Sequence, residues 1–158
     1  MILVLGVLEI DKSWHNYFMR LAEESASRSK DPKTRVGACI TKDKRVLSLG
    51  YNGAPRSFPD DEVPFDSDSK DLLSNKNAYM CHAELNAILN YRGSLSELDG
   101  ATIYCTISPC NECLKALVQI GIKNVIFKEK YHREDITMVT DIIAKKCNVS
   151  LMRLDDIV

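Results

Sequence analysis

Two short segments of the 158-residue chain hold residue types that could do chemistry together: Cys81-His82-Ala83-Glu84 and Ser108-Pro109-Cys110-Asn111-Glu112-Cys113. Cys110 and Cys113 stand three apart at a predicted helix start, so their sulfurs share one face. The positive end of the helix dipole favours the thiolate, which is the form that binds zinc. His82, also at a predicted helix start, offers a neutral imidazole. Two thiolates and one imidazole leave a tetrahedral ion one protein ligand short, and an open position is the mark of a catalytic zinc. A closed, structural site would need a fourth ligand from Cys39, Cys81, Cys105 or Cys147, none of which has paired spacing.

Glu84 fits the open site. Two thiolates cancel the charge of the metal, so zinc alone acidifies water less in this set than among three histidines. A carboxylate two residues from a ligand can take that proton and carry it to a substrate as general acid. His-x-Glu followed by Pro-Cys-x-x-Cys is the signature of zinc deaminases. Glu84 also argues against a zinc-stabilised binding module, which has no use for a proton carrier.

The elements that must position these residues follow from periodicity. Ser13 reads as the cap of a helix carrying Trp14, Tyr17, Phe18, Leu21 and Ala22 at helical spacing to about Arg28, stopped by Asp31-Pro32. His15 on that helix reads as a packing or surface residue. Residues 36–41 and 45–49 read as strands joined by a turn at Lys42-Asp43-Lys44. A long polar stretch, 50–78, holds Gly53, Pro55, Pro59 and Pro64; loops of this length are usually functional or mobile. A helix is predicted from near His82, a strand over 102–106, and a helix with Pro109 in its first turn and Gly121 at its end. A strand over 124–128, a helix over 134–146 and a strand over 149–154 complete the chain. Alternating strands and helices predict a three-layer α/β/α fold.

Composition bounds the partners. With 45% hydrophobic and 27% charged residues the chain has the make-up of a globular protein, and its length suits one domain over residues 12–158. Its 21 basic and 22 acidic residues give a net charge of −1. That balance, with 7% aromatic content, speaks against a polynucleotide substrate, which would want a cationic face and stacking aromatics. No apolar run reaches the length of a membrane span. Residues 1–11 form an apolar arm without the cationic start of a secretory signal. It reads as an extension packing on the body or on a neighbouring subunit. Six cysteines without such a signal imply a reducing compartment and a cytoplasmic protein.

Beyond the zinc motifs, the sequence resembles the deoxycytidylate (dCMP) deaminases of the cytidine deaminase superfamily. The similarity runs through Ser29-Lys30-Asp31-Pro32, Val36-Gly37-Ala38-Cys39-Ile40 and Gly50-Tyr51-Asn52-Gly53-x-Pro55. It continues through Cys81 to Ile88, Pro109 to Cys113, Gly121 to Phe127 and Lys130-Tyr131-His132. The zinc motifs mark only the superfamily; Gly-Tyr-Asn-Gly-x-Pro with Lys-Tyr-His points to the nucleoside-monophosphate branch.

The resemblance implies a cytidine-deaminase-like fold with a central mixed five-stranded sheet. It implies hydrolysis of dCMP to dUMP and ammonia, supplying dUMP for thymidylate synthesis. His82, Cys110 and Cys113 would hold zinc, and Glu84 would protonate N3 and then the leaving amine. Asn52 would bond the sugar 3′-hydroxyl, with Ala83 and Ser108 also against the substrate. Tyr131 would lie near base or sugar, with Lys130 and His132 close to the phosphate. The family implies a homo-oligomer, commonly a hexamer, activated by dCTP and inhibited by dTTP, with Mg2+ accompanying the triphosphates. Lys30, Asp31, Gly53 and Arg56 are the effector contacts expected. Some phage relatives carry a second, structural zinc in the long loop. Here residues 51–80 contain no Cys or His, so one zinc per subunit is expected. Acceptance of dCTP as a second substrate, and a tRNA-type activity, stand as the alternative readings.

Overall fold

Residues 10–158 are described by a computed structural model; Met1 to Glu9, which make up most of the expected apolar arm, lie outside them. Strands β1 (Gly37–Lys42) and β2 (Arg45–Tyr51) pair antiparallel. Their turn places Asp43 and Lys44 at φ 52° and 61°, the twist-matched geometry of a two-residue hairpin. Strand β3 (Thr102–Ile107) pairs antiparallel with β1, and β4 (Asn124–Glu129) and β5 (Ser150–Arg153) follow in parallel. The result is one mixed five-stranded sheet in the order β2-β1-β3-β4-β5.

Helices cover both faces, and the two-residue alternation of the strands decides which side chains meet them. Helix α1 (Lys12–Ala26) packs Phe18, Met19 and Ala22 on Cys39, Tyr104 and Ile126. Helices α2 (Ala83–Asn90), α3 (Asn111–Gln119) and α4 (Glu134–Lys146) lay Ala87, Leu114, Leu117 and Ala144 on Ala38, Ile103 and Val125. Leu114 and Leu117 are fully buried, a burial worth about 2–3 kcal/mol each. This is the three-layer α/β/α arrangement that the alternation of elements predicts. His15 is buried, its Nδ1 2.8 Å from the Tyr104 hydroxyl, and acts as a packing residue.

Several boundaries differ from the sequence reading. Asp11, not Ser13, caps α1: its carboxylate accepts the Ser13 N–H at 2.7 Å. An anion is the better partner for the positive helix end, so Ser13 falls inside the first turn. Pro109 lies outside α3 rather than in its first turn, because Cys110 takes an extended conformation (φ −71°, ψ 170°) and caps the helix itself. Strand β5 stops at Arg153, and Leu154 opens a 3-10 turn. The long polar stretch begins after Tyr51 and folds into short 3-10 turns at Asp60–Glu62, Leu72–Ser74 and Lys76–Ala78. Bridges Gly53–Cys81 and Asp66–Asn75 tie its two limbs together. Among the described residues no helix is long and apolar enough to cross a membrane.

Candidate active site

Two helix starts meet at one end of the sheet. His82 caps α2 in an extended conformation (φ −75°, ψ 154°) and Cys110 caps α3. The first-turn N–H groups of both helices therefore point at the same place, which favours negative charge there. Cys110 Sγ accepts the Cys113 N–H at 3.5 Å, so a metal-ligand side chain takes the role that Ser or Asp fills in most helices.

The close approach of α2 to the sheet depends on a missing side chain. A Cβ on Gly50 would lie 2.3 Å from the Ala83 carbonyl oxygen and 2.4 Å from the Ala87 nitrogen. The amides of Asn86 and Asn90 donate to the Tyr51 and Leu49 carbonyls at 2.7 and 3.0 Å, fastening α2 along the edge strand.

His82 Nδ1 lies 3.5 Å from Cys110 Sγ and 3.3 Å from Cys113 Sγ. All three ligand atoms fall within 4.8 Å of one another, the one such cluster among the described residues. Ligands at tetrahedral angles around zinc, with Zn–N near 2.1 Å and Zn–S near 2.3 Å, stand roughly 3.6 Å apart. The donor set and its spacing therefore fit zinc. Of the other cysteines, Cys39 and Cys105 are buried in the core and Cys147 is exposed. Among the described residues none joins the cluster as a fourth ligand.

The electrostatics follow from burial and the short contacts. The thiol of Cys113, hydrogen-bonded to Cys110, lowers Cys110 below the ordinary thiol value, with His82 adding to the effect against burial. The same bond, with burial, pushes Cys113 up. The bond to Cys110 raises His82 above its ordinary value although burial works the other way. Glu84, in the first turn of α2 and buried, has its carboxyl raised chiefly by desolvation. It lies beside the thiols of Cys105 and Cys113.

A cavity of about 730 Å³ opens over this cluster, with His82, Ala83, Glu84 and Cys110 at its floor. Asn52 and Ser108 line it, and the rim is made by Lys130, Tyr131, His132 and Arg133, the last ion-paired to Asp135, with Asp68 also on the lining. Ser108 Oγ accepts the Tyr131 N–H at 2.8 Å, joining the loop after β3 to the loop after β4. Tyr131 and His132 place their rings 4.6 Å apart. The Asn52 carboxamide is already engaged: Oδ1 accepts the Val36 N–H and Nδ2 donates to the Thr34 carbonyl, each at 2.9 Å. One amide hydrogen is left to face a ligand.

A second cavity, of about 320 Å³, adjoins the first and collects Lys30, Asp31, Gly53 and Arg56, with Arg28 and Phe58 beside them. Lys30 is ion-paired to Asp60. Asp31, Asn52 and Met80 line both cavities and form the wall between them. Lys76 is the site residue that sequence reasoning missed. It is buried in the first cavity's wall, bonded to Asp31 across 45 positions, and no local pattern distinguishes it from a solvated loop lysine.

A mixed five-stranded sheet with helices on both faces, a His/Cys/Cys cluster at two helix starts and a buried glutamate beside it defines a class: the zinc-site hydrolytic deaminases of nucleobases. A family model described as the cytidine and deoxycytidylate deaminase zinc-binding region matches residues 12–129, and the chain belongs to that family. It is similar to a deoxycytidylate deaminase of Pongo abelii, 46% identical over 124 residues, covering 77% of this chain and 68% of that one. It is 41% identical over 142 residues to a Mus musculus deoxycytidylate deaminase, covering 89% of this chain and 79% of the relative. Among solved structures, dCMP deaminase from the cyanophage S-TIM5 in complex with dCMP and dUMP superposes with a TM-score of 0.72 at 25% identity. That superposition covers 92% of this chain and 99% of the phage protein.

Proposed function

We propose that this enzyme hydrolyses the exocyclic amine of dCMP, taking one water and releasing dUMP and ammonia. The observation that carries the reading is one cavity that has His82, Cys110 and Glu84 at its floor and Lys130, His132 and Arg133 at its rim. A base goes to the floor and a phosphate to the rim. His82, Cys110 and Cys113 would hold zinc, which when bound acts as a Lewis acid that makes water nucleophilic near neutral pH.

The chain's own residues then do the following. Glu84 takes a proton from the attacking water and delivers it to N3 of the cytosine as the oxygen bonds to C4; it then carries the proton of the new C4 hydroxyl to the amine, so that C4=O forms, C4–N4 breaks and ammonia leaves. Burial raises the carboxyl's proton affinity, which favours its taking a proton from water. Ala83, at the first position of α2, offers a backbone N–H to the base. Asn52, held rigid by Val36 and Thr34, turns its remaining amide hydrogen to the sugar 3′-hydroxyl. Ser108 fixes the backbone of Tyr131, which stacks against base or sugar, while Lys130 and His132 meet the phosphate.

The second cavity is the effector site of this reading. It would take a nucleoside triphosphate, with Mg2+, between Lys30, Gly53 and Arg56; dCTP raises activity and dTTP opposes it. The shared wall of Asp31, Asn52 and Met80 supports that coupling, because a ligand must favour one arrangement of the wall to change the substrate site. Leu89, Met138 and Ile142 stand exposed on α2 and α4, apolar side chains that a homo-oligomer, a hexamer by family resemblance, would cover.

Ammonia release from dCMP, dCTP, deoxycytidine and a cytosine-containing oligonucleotide tests the reading. We expect dCMP to give the highest kcat/KM. Faster turnover of dCTP or of the oligonucleotide overturns it. Superimposable dCMP saturation curves with and without dCTP and dTTP would remove the effector assignment and leave the reaction standing.

A further inference from the structure

A charged pair is buried where the two cavities meet. Lys76 Nζ lies 2.6 Å from Asp31 Oδ2, and the side chains are only 9% and 1% exposed. Burying an ion pair costs solvation that mutual attraction seldom repays in full, so such a pair is better explained by the arrangement it enforces than by stability.

The connections of the pair lead in two directions. Asp31 Oδ1 accepts the backbone N–H of Lys33 at 2.9 Å and of Thr34 at 3.1 Å. The Thr34 carbonyl in turn accepts from Asn52 Nδ2. On the other side, the Lys76 N–H donates to the Asp66 carbonyl, and the Lys76 carbonyl accepts from Tyr79 and Met80 at 2.9 and 3.1 Å. Cys81 follows at once, paired with Gly53 in both directions (2.7 and 3.0 Å), and then the ligand His82. Lys76 is thus the junction between the turn that holds Asn52 and the segment that leads into the metal cluster.

We propose that Lys76 is a positioning residue. Its ion pair with Asp31 latches the 53–80 segment onto the 31–36 turn and so fixes the substrate-cavity wall at Asn52. This rests on the assignment of the larger cavity as the substrate site. Lys76 does not serve as a phosphate contact, since Asp31 neutralises it and the exposed Lys130 lines the same cavity.

The test uses the zinc-loaded full chain. Lys76→Met alone strands Asp31 as a buried unpaired charge and can fail to fold, so the deciding variant is Lys76→Met with Asp31→Asn. Asparagine keeps the Oδ1 acceptor for Lys33 and Thr34, and removing both charges together avoids the unpaired penalty. Kinetics are read with whichever of dCMP, dCTP or deoxycytidine the wild type turns over fastest. Failure of the dCMP reading then shows in the wild type and not in the variant.

We expect full zinc content and a kcat/KM lowered roughly 10- to 100-fold, as for a small displacement of a positioning group, with more of the loss in KM than in kcat. Lys76→Arg in the wild-type background should recover most of it. Amide hydrogen exchange should quicken at Lys33, Thr34 and across residues 66–80 and stay unchanged in the central strands. A folded, zinc-loaded double variant with kcat/KM within twofold of wild type, or with unaltered exchange in those segments, overturns the proposal.

Discussion

Gly50 on β2 faces the backbone of Ala83 so closely that a Cβ there would stand 2.3 Å from the Ala83 carbonyl oxygen. His82 of the His/Cys/Cys cluster and Glu84 flank Ala83 in the chain, so an edge-strand glycine sets the height of α2 above the sheet. Gly50→Ala must displace α2. We expect about 1–3 kcal/mol of destabilisation or more, typical of overpacking, with a fall in zinc retention and activity beyond the loss of folded protein. Thermal unfolding and metal analysis on the same preparation check this; wild-type zinc affinity in the folded variant contradicts it.

Glu84→Gln keeps the size of the side chain and leaves His82, Cys110 and Cys113 in place. Zinc content should remain near one per chain while turnover falls by at least about 10²–10⁴-fold, the usual contribution of general acid–base catalysis. Turnover within tenfold of wild type, with zinc intact, removes Glu84 from the proton-transfer role.

Cys110→Ala and Cys113→Ala each take one of the three ligand atoms that lie within 4.8 Å of one another. Both variants should lose metal and activity and unfold at lower temperature than the zinc-loaded wild type, because bound metal favours the folded state. Cys110→Ala loses in addition the acceptor for the Cys113 N–H. Full zinc occupancy in either variant means that another cysteine completes the site.

Asp31 makes stability depend on pH in the acid range. Burial works to raise its carboxyl, but the Lys76 hydrogen bond and the N–H groups of Lys33 and Thr34 outweigh it and hold the pKa below the ordinary value of 3.8. With the folded-state pKa depressed, its contribution is fully present above the unfolded-state value near about 3.9 and is lost as pH falls through the folded value. Asp31→Asn should therefore cost about 3 kcal/mol or more at pH 7, where Lys76 is left unpaired. The gap to wild type should narrow only below about pH 4. Denaturant titrations of both proteins between pH 3 and 7 measure it; a gap that closes between pH 7 and 5 assigns the effect to another group.

The chain by itself determined the strands, the helices and the spacing of the candidate ligands, because each is written in short-range pattern, whereas the mixed five-stranded sheet was implied by the family resemblance. The helix over residues 134–146 shows a 3.6-residue period bounded by acidic and basic ends and forms over those residues. The hairpin turn at Asp43-Lys44 lies between two β-rich runs. His82, Cys110 and Cys113 were legible because ligands spaced on helix starts constrain neighbouring residues, and the structure brings those three together. Small errors at the helix caps arose where two local partners competed, Asp11 with Ser13 and Cys110 with Pro109, and hydrogen-bond geometry chose between them.

Tertiary structure alone decided the wall between the cavities. Asp31 and Lys76 are 45 residues apart, and in sequence each looks like an ordinary polar loop residue. Nothing in the period or spacing of the 50–78 stretch marks Lys76 as buried. Its burial comes from the two limbs of that segment closing over the 29–36 turn through the Gly53–Cys81 and Asp66–Asn75 bridges. Likewise Asn52 is legible as a polar residue after a strand. That Val36 and Thr34 hold its carboxamide and leave one hydrogen for a ligand depends on three backbone segments meeting in space. Local pattern reports contacts within a turn or a strand pair, whereas a buried long-range pair is fixed only when the whole chain has closed around it.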